Sequence, residues 1–246
     1  MDSPNLEKFS SWSDWDSFHR IYERFNEEAH TLILWPLDAA ITHLTEEAKA
    51  EDEKLEPRLS SVTGEEREWL GEQQERNWQY VPDQERFLRN MALVGLLSRL
   101  IYTLRDMSRQ SELIAPRRGR YEGSGELAQL WEEFRVRFGL DFSPYDQHIA
   151  FLDRLRLVRN QIVHDGGEAN TPKPLAQCSI KPDGTFDMYD TAFSDRFPEF
   201  VEGSSFSAQV VVKQEHLDQG IEYSIEIVRW ISEQLRAKEI ESERQS

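Results

Sequence analysis

The chain has one cysteine, Cys178, among 246 residues. A single thiol cannot close a disulfide within the chain, so no disulfide framework supports this fold, and a reducing compartment is expected. Long apolar runs are also missing. The two longest, 91–104 and 31–41, are interrupted by Arg99 and by Pro36 and Asp38, and both fall short of the roughly 20 residues that cross a bilayer. Residues 1–15 are acidic and polar, without the basic start and apolar stretch of a secretory signal. The expectation is a cytoplasmic protein with no membrane segment.

Several chemistries lack their residues. There is no Gly-x-x-x-x-Gly-Lys phosphate loop and no Gly-x-Ser-x-Gly nucleophile elbow. The histidines are His19, His30, His43, His148, His164 and His216, none at a zinc-ligand spacing. Neither a metal nor another cofactor is expected.

Cations are scarce as well. The formal net charge is -17, which by itself opposes nucleic-acid binding because phosphates are repelled by an acidic surface. The deficit is uneven. Residues 99–159 hold eleven Arg, no Lys and nine acids, a net of +2, so the rest of the chain carries -19. Arginine forms paired hydrogen bonds to phosphate more readily than lysine. Helical surface salt bridges would account for the same composition.

What the chain does have is core-forming material: 38% hydrophobic residues, with 13 Phe, 7 Tyr and 7 Trp, enough to exclude wholesale disorder. Phe18, Ile21, Phe25, Ala29, Leu32, Ile33, Leu37, Ile41 and Leu44 recur at helical spacing, so a first helix is expected over 14–50, kinked or divided at Pro36. An acidic stretch at 46–57 precedes Thr63-Gly64-Glu65-Glu66, which resembles a capping box opening a polar helix to Tyr80. With little to bury, that segment reads as a peripheral cover able to shield the Arg-rich region. Pro82 should end it, with Asp83 capping a very apolar helix over 84–111. Further helices are expected over 126–138, 145–165 and 214–238. Short strands are expected at 176–180 and 185–189, flanking the turn Lys181-Pro182-Asp183-Gly184, and at 206–212. The fold class is therefore mainly α, a helical bundle with a small β-strand insertion before the last helix. It is read as a single domain over 1–246, with an acidic peripheral insertion at 46–83 and a small β insertion at 172–213.

The segment that carries chemistry is Arg159-Asn160-Gln161-Ile162-Val163-His164, near the end of the 145–165 helix and stopped by Gly166-Gly167. Phe151, Leu155, Val158 and Ile162 make a core stripe. A second face mixes Leu152, Leu157 and Val163 with Arg156, Asn160 and His164, as a helix does where it meets something, either a partner subunit or the chain's own strand insertion or peripheral helix. Asn160 and His164 are neighbours four residues apart, and Arg159 lies about 140° around the helix from His164. A histidine in the last helical turn sits at the negative end of the helix dipole, which favours its protonated form, while nearby arginines oppose it. Such a group suits general acid–base work. Each residue also has a plainer role open to it: His164 as a helix cap, Arg159 in an ion pair with Asp153 or Glu168, and Asn160 as a buried polar group fixing dimer register.

This Arg-Asn-x-x-x-His pattern resembles the Arg-polar-x-x-x-His signature of the HEPN superfamily, the higher-eukaryote and prokaryote nucleotide-binding domains. The close match covers about 20 residues. The resemblance implies a HEPN-like helical bundle that forms a homodimer with the two motifs facing each other. It implies a metal-independent endoribonuclease of a toxin–antitoxin or anti-phage defence type, acting on RNA such as tRNA and held in check by a cognate antitoxin. Arg159, Asn160 and His164 would be catalytic. Arg154, Arg156, Arg117, Arg118 and Arg120 would bind RNA. The alternative is a non-catalytic HEPN-like dimerisation or regulatory module.

Overall fold

The structure is a computed structural model that describes residues 17–112, 114–116, 121–123, 125–173, 177–180, 186–187, 189–204 and 207–245. It is mainly helical. In chain order the elements are α1 (Ser17–Glu28), a π-helical turn (Ala29–Leu34), α2 (Trp35–Ser61), α3 (Glu65–Gln110), α4 (Glu126–Phe138), a 3-10 turn (Ser143–Tyr145) and α5 (Asp146–His164). Then follow β1 (Thr171–Pro172), β2 (Ser179–Ile180), β3 (Phe186–Asp187), β4 (Tyr189–Asp190), α6 (Ala192–Arg196), a 3-10 turn (Pro198–Phe200), β5 (Val201–Glu202), β6 (Gln209–Val210) and α7 (Gln214–Gln245).

The chain forms two compact units, where the sequence reading placed 1–246 in one domain. The first unit comprises Met1–His30, Val94–Asn160 and Glu215–Ser246, and the second Thr31–Leu93 and Gln161–Gln214. Both the 46–83 segment and the 172–213 β segment fall in the second unit.

The first unit is a helical bundle. Phe18, Ile21 and Phe25 of α1, Leu96, Leu97, Leu100, Leu104 and Met107 of α3, Phe134 of α4, Leu152 and Leu155 of α5, and Leu217, Val228 and Ile231 of α7 are all buried. Gly220 of α7 sits in a close helix contact: a Cβ there would lie 2.8 Å from Leu155 Cδ1 and 3.3 Å from Leu96 Cδ2. A ladder of rings braces α4, the turn before α5, and α7. Trp131 meets Phe142 at 5.8 Å, Phe142 meets Trp230 at 4.9 Å, and Trp230 meets Tyr145 at 5.1 Å between centroids, separations typical of stabilising aromatic pairs. At the turn before α5, Asp141 accepts the Ser143 backbone N–H at 3.0 Å and its hydroxyl at 2.9 Å. Those two bonds hold the Asp141 carboxyl below its ordinary pKa. The stabilisation is present at neutral pH and is lost as pH falls through the lowered value.

The second unit joins a helical hairpin, α2 and the first part of α3, to the short strands. Leu55 and Leu70 are buried in the hairpin, and Phe197, Phe200, Val210 and Val212 in the strand region. The strands pair antiparallel as β1–β4, β2–β3 and β5–β6, with Val201 opposite Val210. Asn90 of α3 ties the two parts together. Its buried side chain donates from Nδ2 to the Val210 carbonyl at 3.2 Å and accepts the Val212 N–H on Oδ1 at 3.3 Å. Asn90→Ala would strand both backbone groups, each costing about 1–3 kcal/mol when left unsatisfied. The urea midpoint should fall with the m-value unchanged. An unmoved midpoint would show that water replaces the amide.

Several expected boundaries move. The 14–50 helix is divided at the π-helical turn, and Pro36 sits in the first turn of α2, where its missing N–H costs nothing. The acidic 46–57 stretch is helical and α2 runs on to Ser61, with Pro57 inside it. Pro82 does not end a helix, and Asp83 is no cap: α3 continues unbroken for 46 residues. A helix-interior proline costs about 3 kcal/mol, and buried side chains on both sides of it, Leu70 and Leu93, hold the helix through that cost. Gly64, at φ 68°, rather than Thr63 stands before α3, and its carbonyl accepts the N–H of Arg67 and of Glu68. The strand pairs are shorter than expected, and the turn at 181–184 lies outside the described residues. Among the described residues, α3 is the one helix long and apolar enough to cross a membrane by length and composition. Its Leu93, Leu96, Leu97, Leu100 and Leu104 are buried within the protein, and a core helix passes the same test.

Candidate functional site

Helix α5 ends where the sequence placed its end. Gly166 and Gly167 take φ values of 63° and 82°, a left-handed conformation that side chains disfavour. The Gln161 carbonyl accepts the N–H of Asp165 at 3.0 Å and of Gly167 at 3.4 Å, the closure expected of a glycine stop. The Gln161 side chain donates to the Glu168 carbonyl at 2.7 Å. The helix end is thus closed by backbone and by Gln161. His164 is exposed and makes no side-chain hydrogen bond or ion pair among the described residues, so it does not act as the cap.

Arg159 and Asn160 are half-buried, and Arg159 Nη1 donates to Asn160 Oδ1 at 3.2 Å. Arg159 has no ion pair with Asp153 or Glu168. Asp153 pairs instead with Arg156, Nε to Oδ1 at 3.4 Å. Arg156 is 12% exposed in that pair, and its guanidinium also lies against Gly125, where a Cβ would come within 3.1 Å of Nη1. Arg154 is exposed. Arg117, Arg118 and Arg120 lie outside the described residues. Of the mixed face of α5, Leu152 is fully buried and Leu157 half-buried within the protein, while Val163 is 46% exposed.

The first unit holds two arrangements that sequence reasoning missed. One is a cleft of about 630 Å³ lined by Arg105, Arg109, Tyr121, Gln129, Glu126 and Glu133, among others. Arg105 pairs with Glu126, while Arg109 has no ion-pair partner among the described residues. The only signal in the sequence was the Arg-rich middle, which did not single out these two. The other is the pair His148 and Glu226, Nε2 to Oε2 at 2.8 Å, with the His148 ring 3.9 Å from that of Tyr223 and 5.3 Å from that of Tyr145. His148 therefore has the carboxylate partner that His164 lacks. The two residues are 78 apart in the chain, and no spacing rule joins them.

Among the described residues no three His, Cys, Asp or Glu side chains converge as a metal-binding group, and Cys178 is half-buried, its thiol donating to the Lys173 carbonyl at 3.8 Å. Compared with protein-family models, curated proteins and solved structures, the chain matches none.

Proposed function

We propose that the chain is a metal-independent endoribonuclease of the HEPN type, cytoplasmic and dimeric, acting in a toxin–antitoxin or anti-phage defence setting. The observation that carries this reading is the end of α5: an exposed histidine with no competing partner on the same helix as a half-buried, hydrogen-bonded Arg159–Asn160 pair. His164 takes the proton of a ribose 2′-hydroxyl. The 2′-oxygen then forms a bond to the adjacent phosphorus, and the bond from phosphorus to the 5′-oxygen breaks. The departing oxygen gains a proton, leaving a 2′,3′-cyclic phosphate and a 5′-hydroxyl. Arg159 stabilises the charge that develops on the phosphate, and Asn160 keeps the Arg159 side chain oriented. Arg154, Arg156 and the 117–120 arginines supply backbone contacts to RNA such as tRNA, and a cognate antitoxin restrains the activity. The test is incubation of purified protein with tRNA and mRNA in EDTA. Fragments ending in cyclic phosphate are expected; intact RNA, or cleavage that EDTA abolishes, would overturn the proposal.

A non-catalytic dimerisation or regulatory module is the second reading. It is favoured by the net charge of -17 and by the row of large apolar side chains left exposed on the second unit: Leu32, Trp35, Trp69, Trp78, Tyr80 and Phe87, each more than half exposed.

A further inference from the structure

The ribonuclease reading makes no use of the cleft in the first unit, and the lining of that cleft describes a ligand. Arg105 and Arg109 stand one turn apart on α3 and both face it, so their guanidinium groups rise from neighbouring points on one helix face. Arg109 is exposed and has no ion-pair partner among the described residues. Arg105 pairs with Glu126, but the two side chains are 52% and 40% exposed, and an ion pair so open to water is readily exchanged for a stronger anion. Deeper in the cleft, Ser108 and Glu133 are buried. Arg137 Nη1 bonds to both of them, at 3.0 Å and 2.9 Å. Arg137 Nη2 is buried with no hydrogen-bond partner among the described residues. Buried polar groups are ordinarily paired, so a donor is left over behind the cleft floor. Tyr121 and Gln129 complete the lining. The loop that carries Tyr121 lies hard against α4: a Cβ on Gly123 would come within 2.6 Å of the Gln129 backbone nitrogen. Among the described residues in and behind the cleft, three arginines meet two carboxylates, a net of +1 in a chain of net charge -17.

We infer that this cleft binds a small sugar phosphate, with Arg105 and Arg109 holding the phosphate. Its volume of about 630 Å³ is that of a small-molecule site, for which roughly 300–1,000 Å³ is usual. One guanidinium fork already satisfies the two oxygens of a carboxylate, whereas a phosphate monoester presents three oxygens and can engage both forks. The remaining polar groups fit the body of the ligand. The Glu126 carboxylate and the Gln129 amide oxygen accept hydroxyl protons, which a sugar supplies and a bare phosphate does not. The Tyr121 ring and Leu130 offer apolar surface to the C–H face of a sugar, so a few polar groups fix the orientation and the apolar ones add contact. The same carboxylates disfavour an RNA strand. A polyanion running through the cleft would bring its next phosphate against Glu126, in a chain whose overall charge already repels it. One phosphate on a neutral, hydroxyl-bearing body meets the arginines without that repulsion. The inference is independent of the ribonuclease reading, because binding is read with the sugar phosphate alone.

The test is titration calorimetry on the full chain with ribose 5-phosphate and glucose 6-phosphate, against ribose and inorganic phosphate as controls. At least one sugar phosphate should bind with a Kd tighter than about 1 mM. Inorganic phosphate should bind about 10-fold or more weakly, for want of the hydroxyl contacts, and ribose should give no measurable heat. Arg109→Ala should weaken the sugar phosphate by about 10–100-fold, the usual loss when a charge-assisted hydrogen bond is removed. Its circular-dichroism spectrum should be unchanged, since the side chain is exposed and unpaired among the described residues. Arg135→Ala removes an exposed arginine of α4 that does not line the cleft and should leave the Kd where it is. No heat from either sugar phosphate overturns the inference. So does inorganic phosphate binding as tightly as both, which would mark a bare anion spot, or an equal loss in Arg135→Ala, which would mark a general charge effect. An RNA oligomer with 2′-methoxy sugars that displaces the sugar phosphate, and that loses affinity by the same factor in Arg109→Ala, overturns it in favour of a strand in the cleft.

Discussion

Replacing His164 with alanine is expected to lower RNA cleavage by about 10²–10⁴-fold, the usual contribution of a positioned general base. Arg159→Ala should lose about 10²–10³-fold, as removal of a charge-stabilising donor does elsewhere. Neither change should disturb folding. His164 is exposed and bonds to nothing described, and among the described residues the side-chain hydrogen bond that Arg159→Ala removes is the one to Asn160. RNA with 2′-deoxy or 2′-methoxy sugars should resist the wild type, because the nucleophile is gone. Expression of wild type, but not of His164→Ala, should slow growth unless an antitoxin is present. His148→Ala is the informative companion. That ring is paired with Glu226 and packed between Tyr145 and Tyr223, so its loss should cost stability and leave the specific cleavage rate of folded protein near wild type. If His164→Ala cuts as fast as wild type while His148→Ala does not, the base is His148, and the α5 motif has no catalytic part.

The second large effect concerns stability. Ser108, Glu133 and Arg137 form a buried polar network in the first unit, with the Glu133 and Arg137 side chains 1% and 2% exposed. Ser108 donates to Glu133 Oε1 at 2.5 Å, and Arg137 Nη1 lies 2.9 Å from the same oxygen and 2.9 Å from the Ser108 carbonyl. Arg137 Nε donates to the Ala115 carbonyl at 2.5 Å, so one guanidinium joins the end of α3, the segment after it, and α4. Glu133→Ala would leave a buried charge without its counter-ion, which costs about 3–5 kcal/mol. At about 2–4 °C per kcal/mol for a protein of this size, Tm should fall by roughly 6–20 °C. Ser108→Ala removes one hydrogen bond to a charged group and should cost less, about 1.5–3 kcal/mol. Replacing both charged partners by apolar residues, Glu133→Leu with Arg137→Met, should recover part of the loss, although the carbonyls that Arg137 serves stay unpaired. Calorimetry separates the outcomes. A Glu133→Ala protein melting within 2 °C of wild type would mean that water or a side chain movement compensates Arg137, contrary to its burial.

The sequence by itself determined the helical identity of most of the chain and the places where helices stop for local reasons. Helix α4 spans the expected 126–138, and α5 ends at the two glycines, because amphipathic spacing and positive-φ stops are encoded within a few residues. The Arg159, Asn160 and His164 spacing on one helix was legible for the same reason. Tertiary structure decided what local rules cannot reach. Pro82 lies inside a helix because burial on both sides of it outweighs a local penalty, and no window around Pro82 contains that term. The acidic 46–57 stretch is helical, with Leu55 buried in the folded chain, a burial that no local charge pattern shows. Asn90 bonds to the backbone of Val210 and Val212, 120 residues away, and His148 finds Glu226, because hydrogen bonds and ion pairs depend on distance in space, which the chain sets only after it folds. The exposed face of α3 belongs to the same class. An apolar residue at helical spacing reads as core from sequence, and only the folded chain shows that Leu70 is covered while Trp69, Tyr80, Phe87 and Met91 are not.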